Sequence, residues 1–284
     1  MPNSKVDART LTGVSETTLW TLYCRAHEAS RTDPMIDDPL AVQLMDQIDY
    51  DFRKFEPAGI PKSVQKAFLP TTQYFAVRAL SFDRVIQDFL RKHPDGTVIA
   101  LAEGLQTTFW RIDSPTVRWI SLDLPAVISL RETLLPTSPQ ITHLTTSALD
   151  PSWHQHLDPQ TPTLITAEGL LMYLQRDQAL TLINNCGQRN PHGAMVFDII
   201  PPRAKSPKGW QLTPHYRTPP MTFALTSGQA RALPRNMPAL DSATTIPYAQ
   251  GRGFRGKMQT VLPKYPVLSH LTASITLLQF RPAP

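Results

Sequence analysis

The chain contains 284 residues, of which 41% are hydrophobic, and carries a formal net charge of +5. Its length suits one large α/β domain with a deep core, and no apolar run approaches the roughly 18 residues of a membrane span, so we expect no membrane partner. The basic residues are scattered, which disfavours a nucleic-acid partner, and the beginning of the chain lacks the apolar segment of a secretion signal, so we expect a cytoplasmic location.

Residues 1–70 are predicted to form a helical N-terminal cover. Ser15 is a candidate N-cap for a helix in which apolar residues recur every three or four positions. Asp38 followed by Pro39 predicts the start of a second helix, because proline is favoured at the first helical position. In an α/β fold these helices would lie near the ligand crevice.

Residues 71–200 alternate helices with apolar strands and are predicted to form the ligand-binding core. This alternation is typical of a mostly parallel, doubly wound α/β sheet of the Rossmann-like type, which binds ligands at the carboxyl ends of its strands. Helices are predicted at 72–93, 106–111, 124–135 and 177–188, and strands at 98–104, 117–123, 141–145, 163–167 and 194–200.

Residues 201–284 are predicted to contain an insertion and the C-terminal strands. Proline accounts for 28 of the 284 residues, about twice the average usage, and the excess lies between Pro201 and Pro247. This composition predicts a long irregular insertion. Residues 275–280 are predicted as the last strand, paired either at the edge of the sheet or with its neighbour. We expect a single domain over residues 1–284.

The turn between the first two core strands carries the clearest ligand signal. The first strand runs into Gly104, and the second ends on Asp123, which could accept hydrogen bonds from both ribose hydroxyls of an adenosine or cap the helix at Pro125. A nicotinamide dinucleotide needs the triplet GxGxxG, of which one glycine is present, and no P-loop lysine follows. The turn therefore favours an adenosine whose other end is uncharged or zwitterionic, such as S-adenosylmethionine, and a nicotinamide-dependent oxidoreductase is the less favoured alternative.

The residue types that bind metals do not form a recognisable site. Cys24 and Cys186 lie far apart without CxxC spacing, so we expect free thiols. His154 and His156 resemble a metal pair, but with no third ligand in view a polar loop is the preferred interpretation. No metal is predicted.

Several ordered motifs resemble the leucine carboxyl methyltransferase family, which also includes carboxyl methyltransferases of polyketide biosynthesis. The resemblance spans residues 23–197 and implies a class I S-adenosylmethionine-dependent O-methyltransferase with a small-molecule methyl acceptor. The motifs are Arg78-x4-Asp83 and the segments 101–111, 122–125 and 168–174, preceded by similar segments at 31–34 and 38–41.

The resemblance also implies the roles of individual residues. Arg78 would pair with the methionyl carboxylate of the cofactor, Gly104 would let the backbone pass close to it, and Asp123 would hold the ribose hydroxyls. Glu168 begins the segment beside the methionine moiety. The further expected cofactor contacts are Glu103 and Leu124 beside these motifs and Ser147, Ala148 and Leu149 along the adenine.

The chain departs from the pattern of the family at three positions. The family turn usually reads Leu-Gly-x-Gly-Leu/Phe-Asp-Thr, whereas here Ala102 replaces a glycine and Gln106 replaces the aspartate. Ala148 stands where an aspartate is common at the adenine edge. A relative that binds the cofactor but is catalytically degenerate is therefore a second hypothesis.

The chemistry of the acceptor favours a carboxylate. A carboxylate is already ionised at neutral pH, whereas a phenol needs a general base, and no Ser-His-Asp-like grouping stands out in the chain. We therefore expect methyl transfer to a carboxylate of a small molecule, such as a polyketide-type metabolite, and assign no catalytic residue. The oligomeric state does not follow from the sequence. Candidate acceptor-side residues are Tyr23, Arg25, His27 and Tyr173.

Overall fold

The computed structural model describes residues 5–56, 69–158, 160–253 and 272–282. The helices are α1 Thr17–Ala29, α2 Pro39–Gln47, α3 Leu69–Lys92, α4 Thr108–Ile112, α5 Pro125–Leu134, α6 Arg176–Arg189 and α7 Ser227–Arg231. The strands are β1 Val6–Asp7, β2 Ile48–Asp49, β3 Thr97–Leu101, β4 Arg118–Asp123, β5 Ile141–Thr145, β6 Thr163–Ala167, β7 Ala194–Ile199, β8 Gln211–Thr213, β9 Tyr216–Arg217, β10 Leu240–Ile246 and β11 Ser274–Phe280. Short 3-10 helices lie at Phe52–Phe55, Pro151–His156, Leu171–Tyr173, Pro202–Ala204 and Leu233–Arg235.

Seven of the described strands form the central sheet, in the spatial order β10-β11-β7-β6-β3-β4-β5. The strands from β7 to β5 pair in parallel, whereas β11 pairs antiparallel to both β7 and β10. Every residue of β3, β6 and β7 is buried, as expected for parallel strands covered on both faces. The predicted doubly wound sheet is confirmed, and its order reverses between β3 and β6, which creates a crevice at the carboxyl ends of these strands.

The helix boundaries follow the predicted signals with one exception. Asp38 accepts a hydrogen bond from the backbone amide three residues later, at 3.1 Å, and so caps α2 as predicted. The exception is Ser15, because α1 begins at Thr17 with Glu16 in the N-cap position. The Thr17 hydroxyl donates to the carbonyl oxygen of Val14 at 2.6 Å, so this turn closes on a backbone group and not on the Ser15 side chain.

The proline-rich insertion is more regular than predicted. It contains the β8–β9 ribbon, α7 and the strand β10, which lies at the edge of the central sheet. The last strand β11 therefore pairs with two neighbours and does not lie at the edge. The prediction missed β10 because this strand is rich in Ser and Thr with one solvent-facing side, and it forms through long-range pairing such as Ala243 with Leu278.

The N-terminal helices pack directly onto the core. Leu19 of α1 and Leu44 of α2 belong to the same buried cluster as Leu105 and Val127 of the core. The division into cover, core and insertion stays a prediction, and its first boundary, at residue 70, borders residues 57–68, which lie outside the described residues.

Two further predictions concern the thiols and the membrane. Cys24 and Cys186 are both buried and free, as expected. Within the described residues, no helix has both the length and the apolar character that crossing a membrane would require.

Candidate functional site

A cavity of about 360 Å³ lies at the carboxyl ends of the parallel strands, within the size range of small-molecule sites. One side of it, which we call the strand-end wall, consists of residues 102–104, 122–124, 146–149 and 168–169, where β3 to β6 end. A second part of the lining, which we call the outer wall, comes from α1, α3, the segment after β6 and the insertion. The outer wall includes Thr17, Thr18, Trp20, Thr21, Tyr74, Phe75, Met172, Tyr173 and Met221.

The strand-end wall and the neighbouring helix α3 bring together all the residues predicted to bind a cofactor. Asp123, Gly104 and Glu168 were predictable because strand ends meet at one edge of a parallel sheet, whereas Arg78 on α3 and the expected adenine contacts were indicated by the family resemblance. The predicted cofactor contacts, all of which are among the residues lining the cavity, are Arg78, Glu103, Gly104, Asp123, Leu124, Ser147, Ala148, Leu149 and Glu168.

Asp123 joins the ends of β3 and β4. One of its carboxylate oxygens accepts a hydrogen bond from the Gly104 amide at 2.7 Å, and the other accepts from the Leu124 amide at 2.7 Å. Burial raises the pKa of this carboxyl above its usual value, although both amides favour the ionised form. Each oxygen keeps acceptor capacity for a further donor, such as a ribose hydroxyl.

The turn after β3 forms despite its unusual residues. Ala102 has a φ of +50°, in the left-handed region that costs a residue with a Cβ about 1–2 kcal/mol, and this is the position where the family pattern has glycine. Gly104 has a φ of +61°, and a Cβ there would lie 2.3 Å from the hydroxyl oxygen of Thr18. That same oxygen accepts a hydrogen bond from the Leu105 amide at 2.6 Å. Gly104 is therefore required for the approach of α1, a role that its sequence pattern did not indicate.

Arg78 lies between two buried carboxylates. Its Nε donates to Glu168 at 2.9 Å, and its Nη1 donates to Asp198 at 3.2 Å. Burial alone would lower the pKa of the guanidinium, but the carboxylates of Asp198 and Glu168 outweigh it and raise the pKa. Burial raises the pKa of Glu168. Charges of both signs thus meet at one end of the cavity, as the zwitterionic end of an amino acid requires.

Asp198 is a site residue that sequence reasoning missed. It also accepts a hydrogen bond from the Gly169 amide at 2.6 Å, so it holds the turn after β6 as Asp123 holds the turn after β3. The available signal was a lone acid in the fully buried strand β7, because a buried carboxylate is costly without a partner.

Glu103 lines the cavity, but its contacts face the interior. Its carboxylate accepts from the Trp119 ring nitrogen at 3.2 Å and forms an ion pair with Arg131 at 2.9 Å. Burial raises the pKa of Glu103 despite that ion pair. Arg131 also donates to the carbonyl oxygen of Gly104 at 2.7 Å, so the Glu103–Arg131 pair stabilises the turn after β3.

The structure brings one of the four predicted acceptor-side residues to the cavity. Tyr173 lines the cavity, but Tyr23, Arg25 and His27 do not, because only the first part of α1 reaches it. Tyr23 packs against His27 with ring centroids 4.2 Å apart, inside an aromatic cluster of the cover. Arg25 is buried in an ion pair with Asp38 and donates to the Leu105 carbonyl at 2.6 Å, so it anchors α1 to the turn after β3.

The described residues contain no group of three or more His, Cys, Asp or Glu side chains placed to hold a metal ion. His154 stacks on Trp153 with ring centroids 3.8 Å apart, and burial lowers its pKa to about 4. It is therefore a neutral packing residue at physiological pH.

Comparison with known proteins relates the chain to methyltransferases. A sequence model described as leucine carboxyl methyltransferase matches residues 18–187. The tetracenomycin polyketide synthesis O-methyltransferase TcmP of Streptomyces glaucescens is 33% identical over 232 residues, which are 81% of this chain and 81% of that protein. The S-adenosyl-L-methionine-dependent methyltransferase dpfgK of Gibberella zeae is 29% identical over 202 residues, 66% of this chain and 67% of that protein.

Solved structures share the fold at low sequence identity. A Thermobifida fusca YX protein described as a candidate methyltransferase matches with a TM-score of 0.54 at 14% identity, over 81% of this chain and 92% of that one. The CurJ carbon methyltransferase matches with a TM-score of 0.50 at 14% identity, over 94% of this chain and 68% of that one. The comparisons thus identify methyltransferases and give no support to the nicotinamide alternative.

Proposed function

The chain belongs to the leucine carboxyl methyltransferase family and uses S-adenosylmethionine, and from this premise we propose that it methylates a carboxylate oxygen of a small molecule, such as a polyketide-type metabolite. When bound, S-adenosylmethionine supplies a methyl carbon made electrophilic by its sulfonium sulfur. The observation that carries the proposal is that the cavity-lining residues the structure describes include partners for the cofactor but no free base for the acceptor.

The cofactor contacts in this proposal follow from charge and shape. Arg78 and Glu168 carry the charges that complement the methionyl carboxylate and ammonium groups. Asp123 would accept from the ribose hydroxyls. The adenine would lie against apolar side chains, of which Leu124 and Leu149 are 44% and 39% exposed and so available for contact. The residues of this adenine site are Leu124, Ser147, Ala148 and Leu149.

The titratable groups of the wall are unsuited to deprotonating a hydroxyl acceptor. Among the described residues, no histidine, lysine or cysteine lines the cavity. Burial raises the pKa of Tyr74 and brings that of Tyr173 to about 12, so both phenols stay protonated at neutral pH. The carboxylates of Glu103, Asp123 and Glu168 are already engaged. A carboxylate acceptor needs no base, since its reference pKa is near 4, and no proton is released when the ester forms.

The outer wall is suited to a flat, largely apolar acceptor. Trp20 and Phe75 pack edge to face with ring centroids 4.6 Å apart, and Phe75 also lies 4.9 Å from the Arg78 guanidinium. These side chains would position the acceptor and exclude water, which is the main requirement for a displacement at a methyl carbon. Tyr173 remains a proposed acceptor contact, with Trp20, Tyr74, Phe75, Met172 and Met221 added to it.

Incubation with methyl-labelled S-adenosylmethionine and a panel of aromatic carboxylic acids and matched phenols tests the proposal. We expect label in a product that releases methanol in mild alkali, because methyl esters are hydrolysed there and aryl methyl ethers are not. Label that is stable to alkali would overturn the carboxylate assignment.

The degenerate relative is the second candidate, favoured by the left-handed conformation of Ala102 and by the amide of Gln106 where the family pattern has a carboxylate. It predicts binding of S-adenosylhomocysteine in calorimetry without label transfer to any acceptor. Transfer of label at a rate above that without enzyme excludes it.

A further inference from the structure

Gln106 lines the cavity but takes no part in the roles described so far. Its side chain is 8% exposed, and its Nε2 donates to Glu168 Oε1 at 2.9 Å, the oxygen that also accepts from Arg78. Its Oε1 is buried and has no hydrogen-bond partner in the structure. A buried amide oxygen without a partner is destabilising, so a hydrogen-bond donor that reached this atom would bind favourably.

The backbone holds Gln106 in place. Its amide donates to the Glu103 carbonyl at 3.2 Å, and its own carbonyl accepts from Arg131 at 3.0 Å. The backbone of Gln106 is therefore held in a fixed position at the cavity lining, which lowers the entropy cost of binding by this residue.

The neutral amide also suits the charges around it. A carboxylate at position 106 would stand within hydrogen-bond distance of Glu168 and repel it, whereas the amide donates to Glu168 and keeps its own oxygen free. An ammonium group has three N–H donors and needs more than one acceptor. Glu168 and the free Gln106 oxygen together supply two acceptors beside Arg78.

We propose that Gln106 binds the methionyl end of the cofactor, with its Nε2 holding Glu168 in place and its Oε1 accepting a hydrogen bond from the α-ammonium group. This inference rests on the proposed function, because it presumes that the cavity holds S-adenosylmethionine. The competing explanation is that a water molecule, and not the ammonium group, donates to the Gln106 oxygen. A second void of about 20 Å³ beside Gln106, Glu103 and Glu168 could hold one water molecule.

Isothermal titration calorimetry with S-adenosylhomocysteine and with its deaminated analogue, which keeps the carboxylate and lacks the ammonium, separates these assignments. The variant Gln106→Met removes the amide at nearly constant length. We expect it to bind S-adenosylhomocysteine about tenfold more weakly, and the analogue within about twofold of wild type. Gln140→Met is the matched control, because Gln140 donates to the backbone at Ser114 and Val117 and does not line the cavity.

If Gln106→Met lost affinity equally for both ligands, or for neither, the proposed role of Gln106 would be overturned, and a water molecule would be the partner of its oxygen. Failure of the wild-type protein to bind S-adenosylhomocysteine would overturn the proposed function as well, so the two failures are distinguishable. Melting temperatures identify a variant that does not fold. In that case Gln106→Asn, which keeps the amide but withdraws it by one methylene, is expected to give the same selective loss, and its absence would reject the proposal.

Discussion

The strand-end wall and the outer wall of the cavity are held by different forces. The turns of the strand-end wall are held by carboxylates that accept from their backbone amides. Asp123 accepts from Gly104 at 2.7 Å, and Asp198, which lies inside β7 and outside the cavity lining, accepts from Gly169 at 2.6 Å. In the outer wall, side chains meet through ring contacts, such as Trp20 with Phe75 at 4.6 Å. Hydrogen bonds fix direction closely, whereas apolar packing tolerates a change of shape.

This difference matches the two ligands proposed for the cavity. The strand-end wall would serve a cofactor whose chemical structure is the same whatever the acceptor, so a rigid polar frame suits it. The outer wall draws on segments near residues 20, 75, 172 and 221, each of which can change without altering the sheet. We use the name polar frame for the strand-end wall together with Arg78. The difference between the two walls predicts that variants of the polar frame alter cofactor affinity and that variants of the outer wall do not.

Arg78→Met should have the largest effect, because it removes the cation at the centre of the polar frame. We expect the affinity for S-adenosylhomocysteine to fall about a hundredfold or more. Glu168 and Asp198 would be left buried without their partner, so the free energy of unfolding should fall by about 3–5 kcal/mol. Calorimetry and urea denaturation measure the two effects.

Arg84→Met provides the control for Arg78→Met, because Arg84 lies on the exposed face of the same helix. It should change neither quantity appreciably. Arg78→Lys keeps the charge without the two-sided geometry and should give an intermediate loss of affinity. If either substitution at Arg78 left the affinity at the wild-type value, the methionyl end could not lie beside this residue.

Asp123→Ala should weaken binding of S-adenosylhomocysteine by about tenfold or more, since the ribose would lose its acceptor. The matched control is Asp150→Ala, because Asp150 also accepts from a backbone amide, that of Ser152 at 2.8 Å, but lies outside the cavity wall. Both variants lose a capped turn, and only the first should lose affinity. Unchanged affinity in calorimetry would reduce Asp123 to a structural cap.

The same division explains which parts of the molecule the sequence predicts. The strand-end residues follow a local rule, because an apolar strand and the residue that ends it are adjacent in the chain. Asp198 was harder to predict from this rule, because it lies inside β7 and does not end the strand. The sheet and its core helices were predictable for the same reason, whereas β10 depends on pairing with β11.

The outer wall follows no local rule. Whether Thr18 or Tyr23 faces the cavity depends on how α1 rotates against the turn after β3. That rotation is set by the contact of Thr18 with Gly104 and Leu105, which are distant from it in sequence. Periodicity identifies the apolar face of α1 but not which part of it meets a ligand. Tyr23 and His27, which were predicted as acceptor contacts, therefore lie outside the cavity lining, although the helix itself was predicted.

Gly104→Ala tests the place where the two walls meet. The new Cβ would contact the Thr18 hydroxyl and would sit at a positive φ, so the free energy of unfolding should fall. Gly13→Ala isolates the backbone cost of about 1–2 kcal/mol, because Gly13 has a φ of +59° with nothing within 4 Å of its Cβ position. Gly104→Ala should lower the free energy of unfolding by more than Gly13→Ala does.

A double-mutant cycle with Thr18→Ala, followed by urea denaturation, separates the contact from the strain. Removing the hydroxyl relieves the clash, so the two substitutions should be non-additive by about 1 kcal/mol. Additive effects would show that α1 does not depend on Gly104 for its approach to the turn.

Trp20→Ala should have the smallest effect on the cofactor. Trp20 belongs to the outer wall and makes no hydrogen bond to the polar frame in the described residues, so the affinity for S-adenosylhomocysteine should stay within about twofold of wild type. Methylation of the acceptor should fall, because the ring that packs against Phe75 would no longer position it. Trp210→Ala makes the same change at a 47% exposed residue away from the cavity and should alter neither. Trp20→Ala could instead weaken S-adenosylhomocysteine binding as strongly as Asp123→Ala does. One side chain would then serve both ligands, and the assignment of cofactor and acceptor to separate walls would be wrong.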